Sequence, residues 1–162
     1  MTPPAAARVQ AALRALGVES EVIRLAESAR TAAEAAAACG VSVGQIVKSL
    51  VFVAGDEPIL VLVSGVNQAD ERRLAALSGQ SVRRADANVV RGSTGYAIGG
   101  VPPVGHPRPL RVFIDRDLLG HERLIAAAGT PHAVFPITPA ELCRVTGGAV
   151  VDLKRGADGG RT

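Results

Sequence analysis

Aromatic residues are nearly absent from this 162-residue chain, which has no Trp, one Tyr and three Phe. Proteins that bind single-stranded nucleic acids stack successive bases on aromatic side chains, so a base-stacking surface of that kind is not expected. The core must be aliphatic. Because 48% of the residues are hydrophobic and only 20% are charged, the chain has enough apolar side chains to fold into one domain.

The chain also lacks a long hydrophobic run. Its longest apolar segments, such as residues 59–63, are far shorter than the roughly 20 residues of a membrane helix, so no transmembrane segment is predicted. Residues 1–7 contain two prolines and no basic region followed by an apolar stretch, which is not the pattern of a signal peptide. These absences predict a cytoplasmic protein that binds neither a membrane nor DNA.

The residue patterns of common catalytic sites are missing as well. Cys39 and Cys143 are isolated and have no Cys-x-x-Cys spacing, which favours buried thiols over a disulfide or zinc site. The three histidines show no ligand spacing, so neither a metal nor another cofactor is predicted. Ser93 lies in Arg-Gly-Ser-Thr-Gly, where a nucleophile elbow needs glycine in place of arginine. Asp115 and Asp117 are interpreted as a helix start and a surface pair.

Helix-start signals and β-rich runs alternate along the chain. Capping signals and helical spacing predict helices at residues 4–16, 31–39, 70–77, 86–92 and 139–146. Runs of β-branched and apolar residues predict strands at residues 22–25, 46–53, 59–63, around 82, and at 110–114, 124–127, 133–137 and 149–153. This irregular order predicts a mixed α+β domain with a largely antiparallel sheet. Residues 154–162 are expected to form a disordered tail.

Lys48 interrupts an otherwise apolar predicted strand. Period-two alternation places Ile46, Leu50 and Phe52 on its face of the strand. One interpretation is an exposed position at a sheet edge, since lysine is rarely buried without a partner. The other is a cation directed into a cleft, where its ammonium would bind a phosphate or carboxylate of a ligand. The residues alone leave both open.

A glycine- and proline-rich loop is the second candidate. Residues 95–106 read Gly-Tyr-Ala-Ile-Gly-Gly-Val-Pro-Pro-Val-Gly-His. Glycines give this loop backbone conformations closed to other residues, while Pro102 and Pro103 stiffen it, so it can present rigid backbone amides to a ligand. It matches neither a dinucleotide fingerprint nor a phosphate-binding loop. A structural turn and a binding site are equally compatible with it.

Four segments together resemble a known family. They are residues 45–52, residues 95–106, the Ala-Gly pair at 128–129, and Leu-Cys-Arg-Val-Thr-Gly at 142–147. In this order they are similar to the YbaK/aminoacyl-tRNA deacylase family, which is related to the editing insertion of bacterial prolyl-tRNA synthetase. The resemblance extends over residues 5–153 and implies a single α/β domain, a mixed barrel-like sheet surrounded by helices.

The resemblance also implies site residues. Lys48 matches the family lysine that holds the phosphate or 3′ end of the terminal adenosine of tRNA. The catalytic loop, whose backbone positions the ester, corresponds to Gly99, Gly100, Val101 and Pro103. Residues expected to contact substrate are Lys48, Pro102 and His132.

The function implied is trans-editing, the hydrolysis of the ester of a mischarged tRNA, with a small amino acid on a proline-type tRNA. The expected partners are the 3′ end of aminoacyl-tRNA and an aminoacyl-tRNA synthetase, and the modest net charge of +3 fits a protein that meets few phosphates. One alternative is a non-catalytic module that binds tRNA or another partner. Another is a hydrolase of a small ester or amide.

Overall fold

The computed structural model describes residues 4–156, which form one mixed sheet with helices packed around it. The strands are β1 (Ile23–Arg24), β2 (Ile46–Ala54), β3 (Glu57–Ser64), β4 (Val82–Arg84), β5 (Arg111–Asp115), β6 (Leu124–Ala127), β7 (Ala133–Ile137) and β8 (Ala149–Val151). The helices are α1 (Ala5–Ala15), α2 (Ala32–Cys39), α3 (Glu71–Ser78), α4 (Ala87–Thr94) and α5 (Pro139–Thr146), with 3₁₀ turns at Val43–Gln45 and Arg116–Gly120.

The strand order is β1-β7-β6-β2-β3-β5-β8, with β4 also paired to β2. Of the strand pairings described, four are antiparallel and three are parallel. The predicted mixed α+β domain is confirmed.

Helix starts follow the predicted capping signals. The Thr31 hydroxyl accepts a hydrogen bond from the Glu34 amide at 3.1 Å, and the Glu34 carboxylate accepts one from the Thr31 amide at 3.1 Å. Thr138 and Glu141 repeat this arrangement at α5. Each reciprocal pair satisfies backbone donors that a helix start leaves free, and the backbone hydrogen bonds lower the pKa of Glu34.

Several element boundaries and faces differ from the prediction. Helix α4 continues past residue 92 to Thr94 and ends where Gly95 adopts a left-handed conformation with φ of 83°. Helical spacing predicts that Leu74 and Leu77 both face the core; Leu74 is fully buried, but Leu77 is 38% exposed. Lys154, the first residue of the predicted tail, forms a β-bridge with Ala69. The Arg155 amide also donates to the Gln68 oxygen at 2.7 Å, and residues 157–162 of the predicted tail lie outside the described residues.

Aliphatic side chains fill both faces of the β2–β3 hairpin, as the shortage of aromatic residues requires. On one face, Leu60 and Leu62 are fully buried in a cluster that includes Leu13 of α1. On the other face, Ile59 and Val61 pack with Leu74 of α3. Burying a side chain of this size stabilises a fold by about 1.5–3 kcal/mol, so the hairpin is the centre of the structure.

One edge of β2 is shared by two strands, and this positions the site. Strand β6 pairs with residues 46–47, and β4 pairs with residues 52–54 at the other end. Between them, residues 48–51 have no strand partner on that edge within the described part of the chain, although the Val51 oxygen accepts from the Ala85 amide at 3.2 Å. The sheet is therefore split beside Lys48.

Candidate functional site

A cavity of about 590 Å³ opens at the split in the sheet. Its walls come from the start of α2, from β2, β6 and β7, and from the loop after α4. Small and aliphatic side chains make up most of the wall. Three cationic residues also line it: Arg30, Lys48 and Arg84. No Asp or Glu is among the lining residues that the structure describes, so the cavity is suited to a ligand that is partly apolar and carries negative charge.

Lys48 lies on the cavity wall, half-buried, and its Nζ donates a hydrogen bond to the backbone oxygen of Asn67. Burial lowers the pKa of Lys48; the negative charge of Asp115 acts in the opposite direction, and the positive charge of Arg84 lowers the pKa further. An ammonium has three protons to donate. The bond to Asn67 occupies one of them, so others are available to a ligand.

The loop brings two of its predicted site residues, Gly99 and Val101, to the same cavity as Lys48. Gly99 has a φ of +94°, a conformation that favours glycine. Gly100 does not line the cavity. Its amide donates to the Ala97 oxygen at 3.1 Å, so this N–H is already bonded within the loop, whereas Gly99 and Val101 border the cavity.

Gly100 instead fixes the loop against a neighbouring turn. A Cβ built on Gly100 would lie 2.6 Å from the oxygen of Gly129 and 2.7 Å from the Cα of Thr130. Real Cβ atoms do not approach other atoms so closely, so glycine is required for this contact between the two backbones. The contact joins the predicted loop to the turn before β7, whose residue Thr130 also lines the cavity.

Pro102 and Pro103 are buried, and neither lines the cavity of about 590 Å³. The Pro102 oxygen accepts a hydrogen bond from His106 Nε2 at 2.8 Å, and because a carbonyl oxygen only accepts, Nε2 carries the proton. Burial lowers the pKa of His106, and the bond to Pro102 offsets part of that effect. Pro103 borders a second cavity of about 280 Å³ together with His106.

His132 is exposed and does not line the cavity, although its neighbour Pro131 does. Its backbone oxygen accepts a hydrogen bond from the Leu25 amide at 2.7 Å, which pairs the chain near β1 with the turn before β7. The structure therefore brings together Lys48, Gly99 and Val101 and places His132 outside that group.

Sequence reasoning missed two cations of the site. Arg84 follows Arg83 on β4, and strand alternation directs neighbouring side chains to opposite faces. The Arg83 guanidinium donates to the Gly55 oxygen at 3.1 Å, whereas Arg84 lines the cavity and lies 5.5 Å from the centre of the Phe52 ring. Arg30 precedes the capping box of α2. The Arg-Arg pair was a usable signal, but only the register of β4 against β2 shows which arginine faces the site.

The interpretation of Asp115 as a surface residue is wrong. Asp115 is 1% exposed, and its Oδ2 accepts from the Ser64 amide at 3.0 Å. It does cap the 3₁₀ turn as predicted, through the Asp117 amide. Cys39 and Cys143 are both free and only partly buried, so the prediction of buried thiols holds in part.

Comparison with known proteins identifies the chain's relatives. A sequence model described as the aminoacyl-tRNA editing domain matches residues 26–145, which contain Lys48 and the whole glycine- and proline-rich loop. The chain belongs to the aminoacyl-tRNA editing domain family. The resemblance found in the sequence is thereby confirmed, and the cavity lies within the matched part of this editing domain.

Two curated proteins and one solved structure are similar to this editing domain. The uncharacterized protein YwhH of Bacillus subtilis is 33% identical over 125 residues, which are 76% of this chain and 80% of YwhH. The proline–tRNA ligase of Nitratidesulfovibrio vulgaris is 39% identical over 101 residues, which are 62% of this chain but 18% of the ligase. A crystal structure described as "a putative trans-editing enzyme for prolyl tRNA synthetase" has a TM-score of 0.92 and 51% identity, covering 96% of this chain and 100% of that one.

None of the helices within residues 4–156 is long and apolar enough to cross a membrane.

Proposed function

We propose that this editing domain is a trans-editing deacylase, which hydrolyses the ester between a mischarged amino acid and the 3′ end of a tRNA. The observation that supports this proposal is that Lys48, Gly99 and Val101 line the same cavity. A charged group and the bare backbone of a rigid loop thus border the same space. The family and the similarity to a described trans-editing protein support the same activity.

The proposed reaction uses water as nucleophile. The water oxygen forms a bond to the ester carbonyl carbon, and collapse of the intermediate breaks the bond from that carbon to the ribose oxygen, which leaves as a hydroxyl after taking a proton. Backbone N–H groups of Gly99 and Val101 would stabilise the negative oxygen of the intermediate. The adjacent ribose hydroxyl of the substrate is positioned to relay the proton. Lys48 binds the terminal nucleotide's phosphate and holds the ester at the loop.

The substrate we propose is a small amino acid on a proline-type tRNA. Most residues of the cavity wall are aliphatic or small, with Val90, Ala126 and Ala133 among them, and the described lining residues offer no carboxylate for a long basic side chain. Proline–tRNA ligases contain the similar segment, which supports a proline-type tRNA and a partnership with a synthetase. A role in translation editing would place the protein in the cytoplasm.

A panel of esters tests this proposal. The tRNA-Pro is charged with alanine, serine, cysteine, threonine or proline, and the rate at which each ester is hydrolysed is measured with and without the protein; the same amino acids on a second tRNA provide the control for tRNA choice. The expected result is turnover of one small amino acid on tRNA-Pro, with prolyl-tRNA spared. Binding of all the esters without turnover would instead indicate a binding module, and turnover of small esters without tRNA would indicate a general hydrolase.

A further inference from the structure

A hydrogen-bonded group of side chains connects Lys48 to the strand on the far side of β3. The Asn67 oxygen that accepts from Lys48 belongs to a residue whose side-chain amide donates to Asp115 Oδ2 at 2.8 Å and to Asp117 Oδ2 at 2.9 Å. The Lys154 ammonium lies 2.7 Å from the same Asp117 oxygen. Of these residues that the structure describes, only Lys48 lines the cavity. The group therefore supports Lys48 without bordering the space that a substrate would occupy.

Asp115 is the centre of this group. Its carboxylate accepts three hydrogen bonds: from the Ser64 amide at 3.0 Å, from the Asn67 side chain at 2.8 Å, and from the Asp117 amide at 3.0 Å. A carboxylate that is 1% exposed needs such partners, because burying a charge without hydrogen bonds is strongly unfavourable. Capping the 3₁₀ turn uses Oδ1 alone, whereas Oδ2 is bonded to Ser64 at the end of β3 and to Asn67 in the segment that follows. Asp115 thus fixes the segment that contains Asn67.

The peptide oxygen that accepts from Lys48 is held from both sides. The Asn67 amide donates to the Ser64 oxygen at 2.9 Å, and the Asn67 side chain is bonded to the two carboxylates. These bonds fix the residue from which the oxygen projects, and the Gln68 oxygen of the next residue accepts from the Arg155 amide at 2.7 Å. A lysine ammonium stands on a flexible four-carbon stem, so a fixed acceptor is needed to hold it in one place on the cavity wall.

We propose that Asn67 and Asp115 are positioning residues for Lys48, with Asp115 orienting Asn67 and the Asn67 oxygen orienting the ammonium toward the cavity. What the positioned ammonium then binds rests on the function proposed above, but the positioning itself does not. Neither residue needs to touch the substrate.

The charges around Lys48 provide a way to observe this arrangement. Asp115 raises the pKa of Lys48 against the effects of burial and of Arg84, both of which lower it. Asp117 and Lys154, the other charged groups beside Asn67, form an ion pair with each other. Removing the negative charge of Asp115 should therefore lower the pKa of Lys48 further.

The experiment uses a feature of the composition: Lys48 and Lys154 are the two lysines of the chain. Protein labelled with ¹³C-lysine gives two side-chain NMR signals, whose titration is followed in the whole protein without any substrate. We expect Asp115→Asn to move the Lys48 titration to lower pH. Glu141→Gln removes the same charge at the start of α5, keeps a side chain that can complete the capping box, and should leave Lys48 unchanged. An unmoved Lys48 titration in Asp115→Asn would overturn the proposal.

Asn67→Ala is the second variant, and it decides the question if Asp115→Asn does not fold. Loss of the amide frees the peptide oxygen, so the Lys48 side chain should become as mobile in NMR relaxation as an exposed lysine, while the amide spectrum of the rest of the protein stays the same. Unchanged Lys48 mobility would contradict the proposal.

Activity adds a separate readout. If the protein deacylates tRNA, Asn67→Ala should lower kcat/KM on the order of 10²-fold, as expected for a misplaced binding group, and Asp115→Asn should move the alkaline limb of the pH profile to lower pH. Wild-type protein that hydrolyses no ester would refute the proposed function, yet the NMR titration would still decide the positioning. Full activity and an unshifted pH profile in both variants would refute the positioning role of Asn67 and Asp115 but not the proposed function.

Discussion

Gly100 lies so close to Gly129 that the two backbones leave no space for a side chain: a Cβ on Gly100 would be 2.6 Å from the Gly129 oxygen. We expect Gly100→Ala to move the loop away from the turn before β7, lowering the free energy of unfolding by about 1–3 kcal/mol and slowing deacylation.

Gly92→Ala is the matched control for that substitution. Gly92 is an exposed glycine inside α4 with nothing within 4 Å of its added Cβ, so alanine there should raise the free energy of unfolding by about 0.4–1 kcal/mol. Urea denaturation of both variants measures the two effects. Equal stability of Gly100→Ala and Gly92→Ala would contradict the close contact.

The charged form of Lys48 should lower the free energy of unfolding. Burial holds its pKa below the ordinary value of 10.5, which means that the folded state binds the proton less favourably than the unfolded state does. We expect Lys48→Met to keep the free energy of unfolding within about 1 kcal/mol of wild type or to raise it slightly. Denaturation at pH 7 tests this, with Leu62→Ala, a fully buried site, expected to lose about 2–5 kcal/mol.

His106 predicts a pH-dependent stability. Burial lowers its pKa below the ordinary value of about 6.5, so the unfolded chain takes up the proton first as the pH falls. The stabilisation is complete above that ordinary value and is lost as the pH falls toward the lower pKa of the folded protein.

Thermal unfolding between about pH 7.5 and 5.5 measures this dependence. His106→Gln keeps an N–H donor for the Pro102 oxygen but does not titrate, so its melting temperature should vary less with pH than that of wild type. Identical curves for the two proteins would show that His106 titrates normally in the fold.

Arg84 and Arg83 provide a test of substrate binding by charge. We expect Arg84→Ala to raise the KM for aminoacyl-tRNA and to make the KM less dependent on salt. The slope of log KM against log salt should be smaller by about 0.7, as for the loss of one contact to single-stranded nucleic acid. Arg83→Ala, whose guanidinium is bonded to Gly55, should retain the wild-type slope. Equal slopes in wild type, Arg84→Ala and Arg83→Ala would show that Arg84 does not contact the tRNA.

The sequence predicts the local features of the fold. The capping boxes at Thr31 and Thr138 predict helix starts because their hydrogen bonds are made within four residues. The β2–β3 hairpin follows from two β-rich runs around a turn at Gly55. The family resemblance and the interruption of an apolar strand predict a site role for Lys48, and the structure places Lys48 on the wall of the cavity.

Features that depend on contacts between distant parts of the chain could not be predicted from the sequence. The split beside Lys48 exists because β4 and β6, far apart in sequence, pair with opposite ends of one edge of β2. The position of Asp115 just after a strand predicts a helix start and a surface residue, whereas the three hydrogen-bond donors that allow its burial come together only in the folded chain. The same holds for Gly100, whose partner Gly129 lies in another loop.

The proposed deacylase site consists of Lys48 and the Gly99–Val101 loop. Its most direct test is the rate of ester hydrolysis on mischarged tRNA-Pro by wild-type protein, Lys48→Met, Lys48→Arg and the control Arg83→Ala. We expect turnover by wild type and Arg83→Ala, partial turnover by Lys48→Arg, and loss of turnover in a fully folded Lys48→Met. Undiminished hydrolysis by Lys48→Met would contradict it.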